Sequence, residues 1–369
     1  MENDPVRLSG LGPLVEVLRA DGYRVVGPTV RDGAIVLAEL ESADALPYGW
    51  GVRLAAGRYQ LRERSDRAAF GHAAGPQSWK SWLHPPREKL FDVTRAPTGE
   101  LTVQEPDAEV PRYAFLGVRP CDLRAIAVQD RVLGQGVDGR YAARRRAALL
   151  IAVNCTEPGE TCFCAATGSG PGAGGGYDLL LTELVADGET TYLARAGTPA
   201  GERVLAAVPH QVAEPAQVAA AEAAVAAAAD RMGRDLPATD LRSLLAGAYL
   251  AERWDEVARR CLTCGNCTMV CPTCFCTTVS DTTDLTGAHA GRWREWDSCF
   301  TLDYSYLHGG PVRASAASRY RQWLTHKFGT WHDEFGESGC VGCGRCVVWC
   351  PAGIDVTEEL HALAKEVVE

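Results

Sequence analysis

The chain has 369 residues, 46% of them hydrophobic and 23% charged, with 37 Lys and Arg against 47 Asp and Glu. This is the balance of a globular protein of two or three domains, which sets disorder aside. The net charge of −10 disfavours nucleic acid or an anionic membrane as a partner.

The opening MENDPVRLSG carries acid near its front and no apolar segment behind it. No run nears the roughly 20 apolar residues of a membrane span. An export signal is therefore not expected, and the predicted compartment is the cytoplasm. Leu14, Val15, Val17 and Leu18 predict a short helix ending near Gly22. Tyr23–Val26 and Ala34–Leu40 read as strands, separated by the turn residues Arg31, Asp32 and Gly33. Residues 53–110, rich in Pro, Gly and Arg, read as irregular structure with short strands.

Tyr113–Val118 has the pattern of a buried strand. Apolar positions at helical spacing follow (Leu123, Ile126, Ala127, Leu133), and Gly134 is a plausible stop. Leu149–Val153 is a second buried strand. A strand–helix–strand unit of this kind predicts a parallel pair. After the glycine-rich loop 168–176, Asp178–Val185 reads as a strand and Gln217–Met232 as an Ala-rich, solvent-exposed helix. Asp240 can cap a further helix that carries Leu241, Leu244, Leu245 and Leu250. These elements divide the chain into an N-terminal α/β domain, 1–240, and a C-terminal domain, 241–369. The class is α+β.

The chain has 15 cysteines, and an odd count without an export signal argues against a disulfide framework. Close spacing in a reducing compartment points to metal. Cys261-x2-Cys264-x2-Cys267-x3-Cys271-Pro272 recurs with the same spacing as Cys340-x2-Cys343-x2-Cys346-x3-Cys350-Pro351. A tight loop with thiolates every third residue can aim each sulfur at a different iron of one [4Fe–4S] cubane. In two-cluster ferredoxins the fourth cysteine serves the other cluster. The predicted ligand sets are therefore Cys261, Cys264, Cys267 and Cys350, and Cys340, Cys343, Cys346 and Cys271. A zinc site usually takes two Cys-x2-Cys pairs about 15–20 residues apart, which is not this spacing. Gly265, Gly342 and Gly344 would let backbone N–H groups approach the sulfurs. The two quartets make a loose internal repeat.

The long insert between the quartets has helical stretches such as 311–328, so an α-helical ferredoxin-like domain is expected in place of the minimal ferredoxin fold. Between Arg292 and Lys327, Arg294, Arg313, Arg319 and Arg321 add to a local cation excess over Glu295, Asp297 and Asp303. That excess suits an anionic cluster, and it also suits a solvated basic face.

Cys121 and Cys155 each follow a predicted strand, and Cys162 and Cys164 come soon after. Parallel strands would bring all four to the carboxyl edge of one sheet. Such a group could hold a third cluster, pack as buried thiols, or act as reactive sulfur. Cys274, Cys276 and Cys299 lie beside the first quartet, with no role assigned. Gly170, Gly172 and Gly175 have the Gly-x-Gly-x-x-Gly spacing, but a strand follows them and no helix does, so nucleotide binding is not expected there. No Walker A, His-Glu-x-x-His or Gly-x-Ser-x-Gly sequence is present. The chain itself is expected to move electrons, with chemistry done elsewhere.

The string Arg260-Cys-Leu-Thr-Cys-Gly-Asn-Cys-Thr-Met-Val-Cys-Pro-Thr-Cys-Phe-Cys276 resembles the beta subunits of sulfhydrogenase-type, NAD(P)-linked nickel–iron hydrogenases. So do Trp296-Asp-Ser-Cys299, His326-Lys-Phe328, Gly339–Cys346, Gly27–Gly33, Gly117–Asp122 and Cys162-Phe-Cys164. The electron-transfer subunit of anaerobic sulfite reductases is similar to the same pattern. The resemblance spans nearly the whole chain. It implies a complex with three further chains: a nickel–iron catalytic subunit, a small iron–sulfur subunit, plus a flavin-containing, NAD(P)-binding subunit. A free-standing ferredoxin-like carrier is the reading from a different class.

Overall fold

A computed structural model describes residues 4–106, 110–136, 139–186 and 188–368. Its centre is an eight-stranded sheet. In spatial order the strands are Gln211–Val212, Val6–Leu8, Glu189–Ala196, Leu179–Ala186, Leu149–Val153, Tyr113–Val118, Arg24–Arg31 and Ala34–Glu39. The four strands from Leu179–Ala186 to Arg24–Arg31 run parallel, as the strand–helix–strand pattern around Cys121 predicts. Buried on both faces, they need continuous apolar runs, and Leu149–Val153 is buried throughout. Helices Gly12–Ala20 and Pro199–Ala207 cover one face. Helix Pro120–Leu133 covers the other, with Trp79 and Tyr141.

Pro120 opens its helix where a missing N–H costs nothing. The Ala-rich helix forms at Pro215–Asp230. Asp240 caps the helix Leu241–Gly247, its carboxylate accepting from the Arg242 and Ser243 N–H groups. Of the stretch read as irregular, residues 107–109 lie outside the described residues. The rest contains the strands Trp50–Ala55, Arg58–Glu63, Arg87–Arg95 and Leu101–Gln104.

Beyond Asp240, helices flank both quartets around a second core of Trp254, Phe300, Trp323, Phe328 and Leu360. Between the quartets the chain also makes a hairpin, Thr277–Thr283 and His289–Trp296. This hairpin pairs with Arg87–Arg95 in a four-stranded sheet that draws strands from both halves of the chain. Among the described residues no helix is long and apolar enough to cross a membrane.

Candidate metal centres

The two cysteine quartets share one backbone path. In the first, Thr263 and Gly265 have φ of 50° and 72°; in the second, Gly342 and Gly344 have φ of 60° and 73°. Left-handed residues at these two points curl the loop, and Gly265 and Gly344 then cap the short helices Asn266–Met269 and Arg345–Val348. The curl aims backbone N–H groups at sulfur. Thr263 N–H donates to Cys261 Sγ at 3.4 Å, and Gly342 N–H to Cys340 Sγ at 3.4 Å. Ile354 N–H donates to Cys350 Sγ at 3.3 Å.

Cys261, Cys264, Cys267 and Cys350 line one cavity together, closed by Phe300, Tyr320 and Trp323. Cys350 therefore stands with the quartet to which it does not belong in sequence. Burial raises the Cys261 and Cys267 thiols, and the neighbouring thiolates add to the shift. Such thiols give up a proton readily only to a metal. Cys264 is exposed, so this group reaches the surface.

Cys271, Cys340, Cys343 and Cys346 form the second group. Burial drives Cys346 well up, and Cys340, Cys343 and Cys271 add to the shift. Burial pushes Cys340 up to about 12. Cys271 is the exception: a hydrogen bond from Cys274 holds its thiol well below the ordinary value, and Lys327 adds to this. Cys346 also borders the cavity of the first group, so the two sites are neighbours.

The N-terminal cysteines converge. Cys121, Cys155, Cys162 and Cys164 line a small cavity with Arg119 and Pro171 at the carboxyl edge of the parallel strands, and Cys343 completes its wall. Burial raises Cys121 well up and Cys164 to about 12. This cavity lies directly against the second quartet. Phe163 N–H donates to Gly342 O at 2.9 Å. Arg345, only 3% exposed, holds the Asp122 carboxylate with two bonds of 2.8 and 3.0 Å and donates to Gly75 O and Gln77 O as well. Asp122 follows Cys121, and Arg345 precedes Cys346, so this ion pair ties the two sites together.

The first group is four thiols around one cavity, the N-terminal group four with Cys343 as a fifth, and the second group four thiols close enough to act on one another. Among the described residues no three Cys, His, Asp or Glu side chains gather tightly enough for a single metal ion. Soft thiolate donors in fours, with N–H groups aimed at sulfur, fit iron–sulfur clusters. Cys276 lies near Cys299 and hydrogen-bonds Tyr304, while Cys274 serves Cys271.

The cation excess seen in the sequence divides in the structure. Arg292 pairs with Asp281 on the surface, Arg294 with Glu88, and Arg321 lies over Tyr249. Lys327 alone of that group is buried against the thiols. Nothing in the sequence marks Lys80, which is 5% exposed and donates to Cys274 O at 3.1 Å. The Arg345–Asp122 pair has one local signal, that each residue sits beside a candidate ligand.

The 4Fe-4S dicluster domain family matches residues 260–354. Over 294 residues the chain is 31% identical to the protein named sulfhydrogenase 2 subunit beta of Pyrococcus furiosus, covering 78% of this chain and 83% of that one. No solved structure matches the chain significantly.

Proposed function

The chain belongs to the family of sulfhydrogenase beta subunits, and from that premise we propose that it is the iron–sulfur electron-transfer subunit of a cytoplasmic, NAD(P)-linked nickel–iron hydrogenase complex. The observation that carries the reading is the crosswise gathering of the quartets, with Cys350 among Cys261, Cys264 and Cys267. In this reading those four thiolates hold one [4Fe–4S] cluster, and Cys271, Cys340, Cys343 and Cys346 hold the second. Cys121, Cys155, Cys162 and Cys164 hold a third. When bound, each cluster takes up and releases a single electron.

The chain's own residues do the rest. Phe300, Tyr320 and Trp323 keep water from the first site on its inner side. Exposed Cys264 brings that site to the surface, where a partner can come within transfer distance. Shared walls at Cys346 and Cys343 set the three sites side by side. The partners in this reading are the flavin-containing, NAD(P)-binding subunit, the small iron–sulfur subunit, plus the nickel–iron catalytic subunit.

Anaerobically purified protein is expected to carry about twelve irons with all three sites filled and about eight with the quartets alone. Cys121→Ser and Cys155→Ser should each lower the count by about four. Unchanged iron in both would remove the third cluster. Metal analysis of the complex that co-purifies with the chain should find nickel. A nickel-free complex with a sirohaem absorption band would replace the hydrogenase reading with a sulfite reductase.

A further inference from the structure

Lys327 lies in a π-helical segment, His326–Thr330, between the helices Ala316–Thr325 and Trp331–Phe335. Such bulges are rare and concentrate at functional sites, because the wider turn re-aims a side chain at some cost in hydrogen-bond geometry. Here the segment turns Lys327 inward, where it is 6% exposed. Its carbonyl accepts from the Gly339 N–H at 2.8 Å, immediately before Cys340. Its Nζ donates to Thr273 Oγ1 at 2.9 Å. That hydroxyl lies 3.2 Å from Cys271 Sγ and donates to Gly339 O. One buried ammonium is thus pinned between the two chain segments that supply Cys271 and Cys340.

Among the described residues, no carboxylate pairs with Lys327 or with Lys80. Lys327 faces the Cys271–Cys274 segment through the Thr273 hydroxyl. Lys80 stands behind the same segment, its Nζ 3.7 Å over the Trp296 ring. Arg345 adds a third buried cation at Cys343, partly offset by Asp122. The first site has a different setting. Its wall is aromatic and aliphatic, and the cation that acts on Cys261 is Arg319, which is half-buried with its Nε enclosed, where Lys327 is almost wholly buried.

Reduction adds negative charge to a thiolate-ligated site. A buried cation favours the reduced form and raises the potential, and in a low-dielectric interior it does so more strongly than solvent-screened charge does. We propose that Lys327, backed by Lys80, makes the Cys271, Cys340, Cys343 and Cys346 site the more oxidising of the two quartet sites, so that an electron shared between them rests there. This rests on the reading that both quartets carry clusters.

The test is an EPR-monitored redox titration of the anaerobic full-length protein, with iron measured on each sample. Lys327→Met should lower the more positive of the two quartet signals by at least about 59 mV, a tenfold shift of a one-electron equilibrium. The other signal should stay in place, and Lys327→Arg should keep the parent values. Unmoved potentials at full iron content would overturn the proposal, as would a shift confined to the more negative signal. Should Lys327→Met lose iron, Lys80→Met decides: a smaller fall of the same signal supports the proposal, and no fall refutes it. Unsubstituted protein with only about four irons would instead remove the two-cluster reading, and this proposal with it.

Discussion

At the scale of single residues, backbone conformation matters as much as sulfur. A Cβ on Gly344 would stand 2.5 Å from Thr161 O, and one on Gly342 2.6 Å from the backbone of Phe163 and Cys164. Both glycines also have positive φ. Gly344→Ala therefore meets a strained conformation and a backbone clash where the second quartet lies against the N-terminal cysteines. Strain alone costs about 1–3 kcal/mol, so stability measured in denaturant should fall by more than that and iron should be lost. Gly336 has a similar φ of 73° with nothing within 4 Å of its added Cβ. Gly336→Ala should show the strain and keep its iron. Equal losses in the two variants would mean that the packing at Gly344 contributes nothing.

At the scale of elements, the decisive contact joins the helix Pro120–Leu133 to the short helix Arg345–Val348. Asp122 and Arg345 are both nearly fully buried, and their two parallel bonds leave neither with an unmet charge. Asp122→Ala strands a guanidinium in the interior, which costs about 3–5 kcal/mol. Replacing both, as Asp122→Ala with Arg345→Met, should cost less than the single change, because no charge is then left unpaired. A double-mutant cycle in denaturant measures this. A double variant as unstable as the sum of the singles would show that the pair does not couple the sites. Much of this scale was legible in the sequence. The parallel pair, the stop at Gly134 and the Asp240 cap all follow from local patterns. The pairing of His289–Trp296 with Arg87–Arg95 does not, because nothing local encodes which distant strand a polar hairpin joins.

At the scale of the whole molecule, two buried histidines make folding sensitive to acid. His72 is 6% exposed and His84 1%, and burial holds their pKa values down to about 3 and about 4. Unfolded, each titrates near 6.5. A depressed folded pKa contributes stability that is complete above the unfolded value and is lost as pH falls toward the folded one. Stability should therefore decline from about pH 6.5 toward pH 4, at up to about 1.4 kcal/mol per pH unit for each histidine. Urea midpoints at pH 7 and pH 5 measure the slope, and His84→Gln should flatten it relative to the parent, which shares its acid-labile sites. An unchanged slope would place the acid sensitivity elsewhere.

The chemistry is legible in the chain alone. Cysteine spacing is a local property, and four thiols within eleven residues name the same kind of centre whatever surrounds them. The chain also determined which strands are buried, because burial on both faces demands continuous apolar runs. Packing brings further groups to them. The gathering of Cys121, Cys155, Cys162 and Cys164 and the crossing of Cys350 to the first quartet are both expected from local patterns, but the contact of the N-terminal cavity with Cys343, and the Arg345–Asp122 pair beside it, come only from packing. The fate of the charges was decided there too. The same run of cations holds exposed or half-buried arginines and one fully buried lysine, and only a bulged helix packed on the cysteine loops turns that lysine toward sulfur.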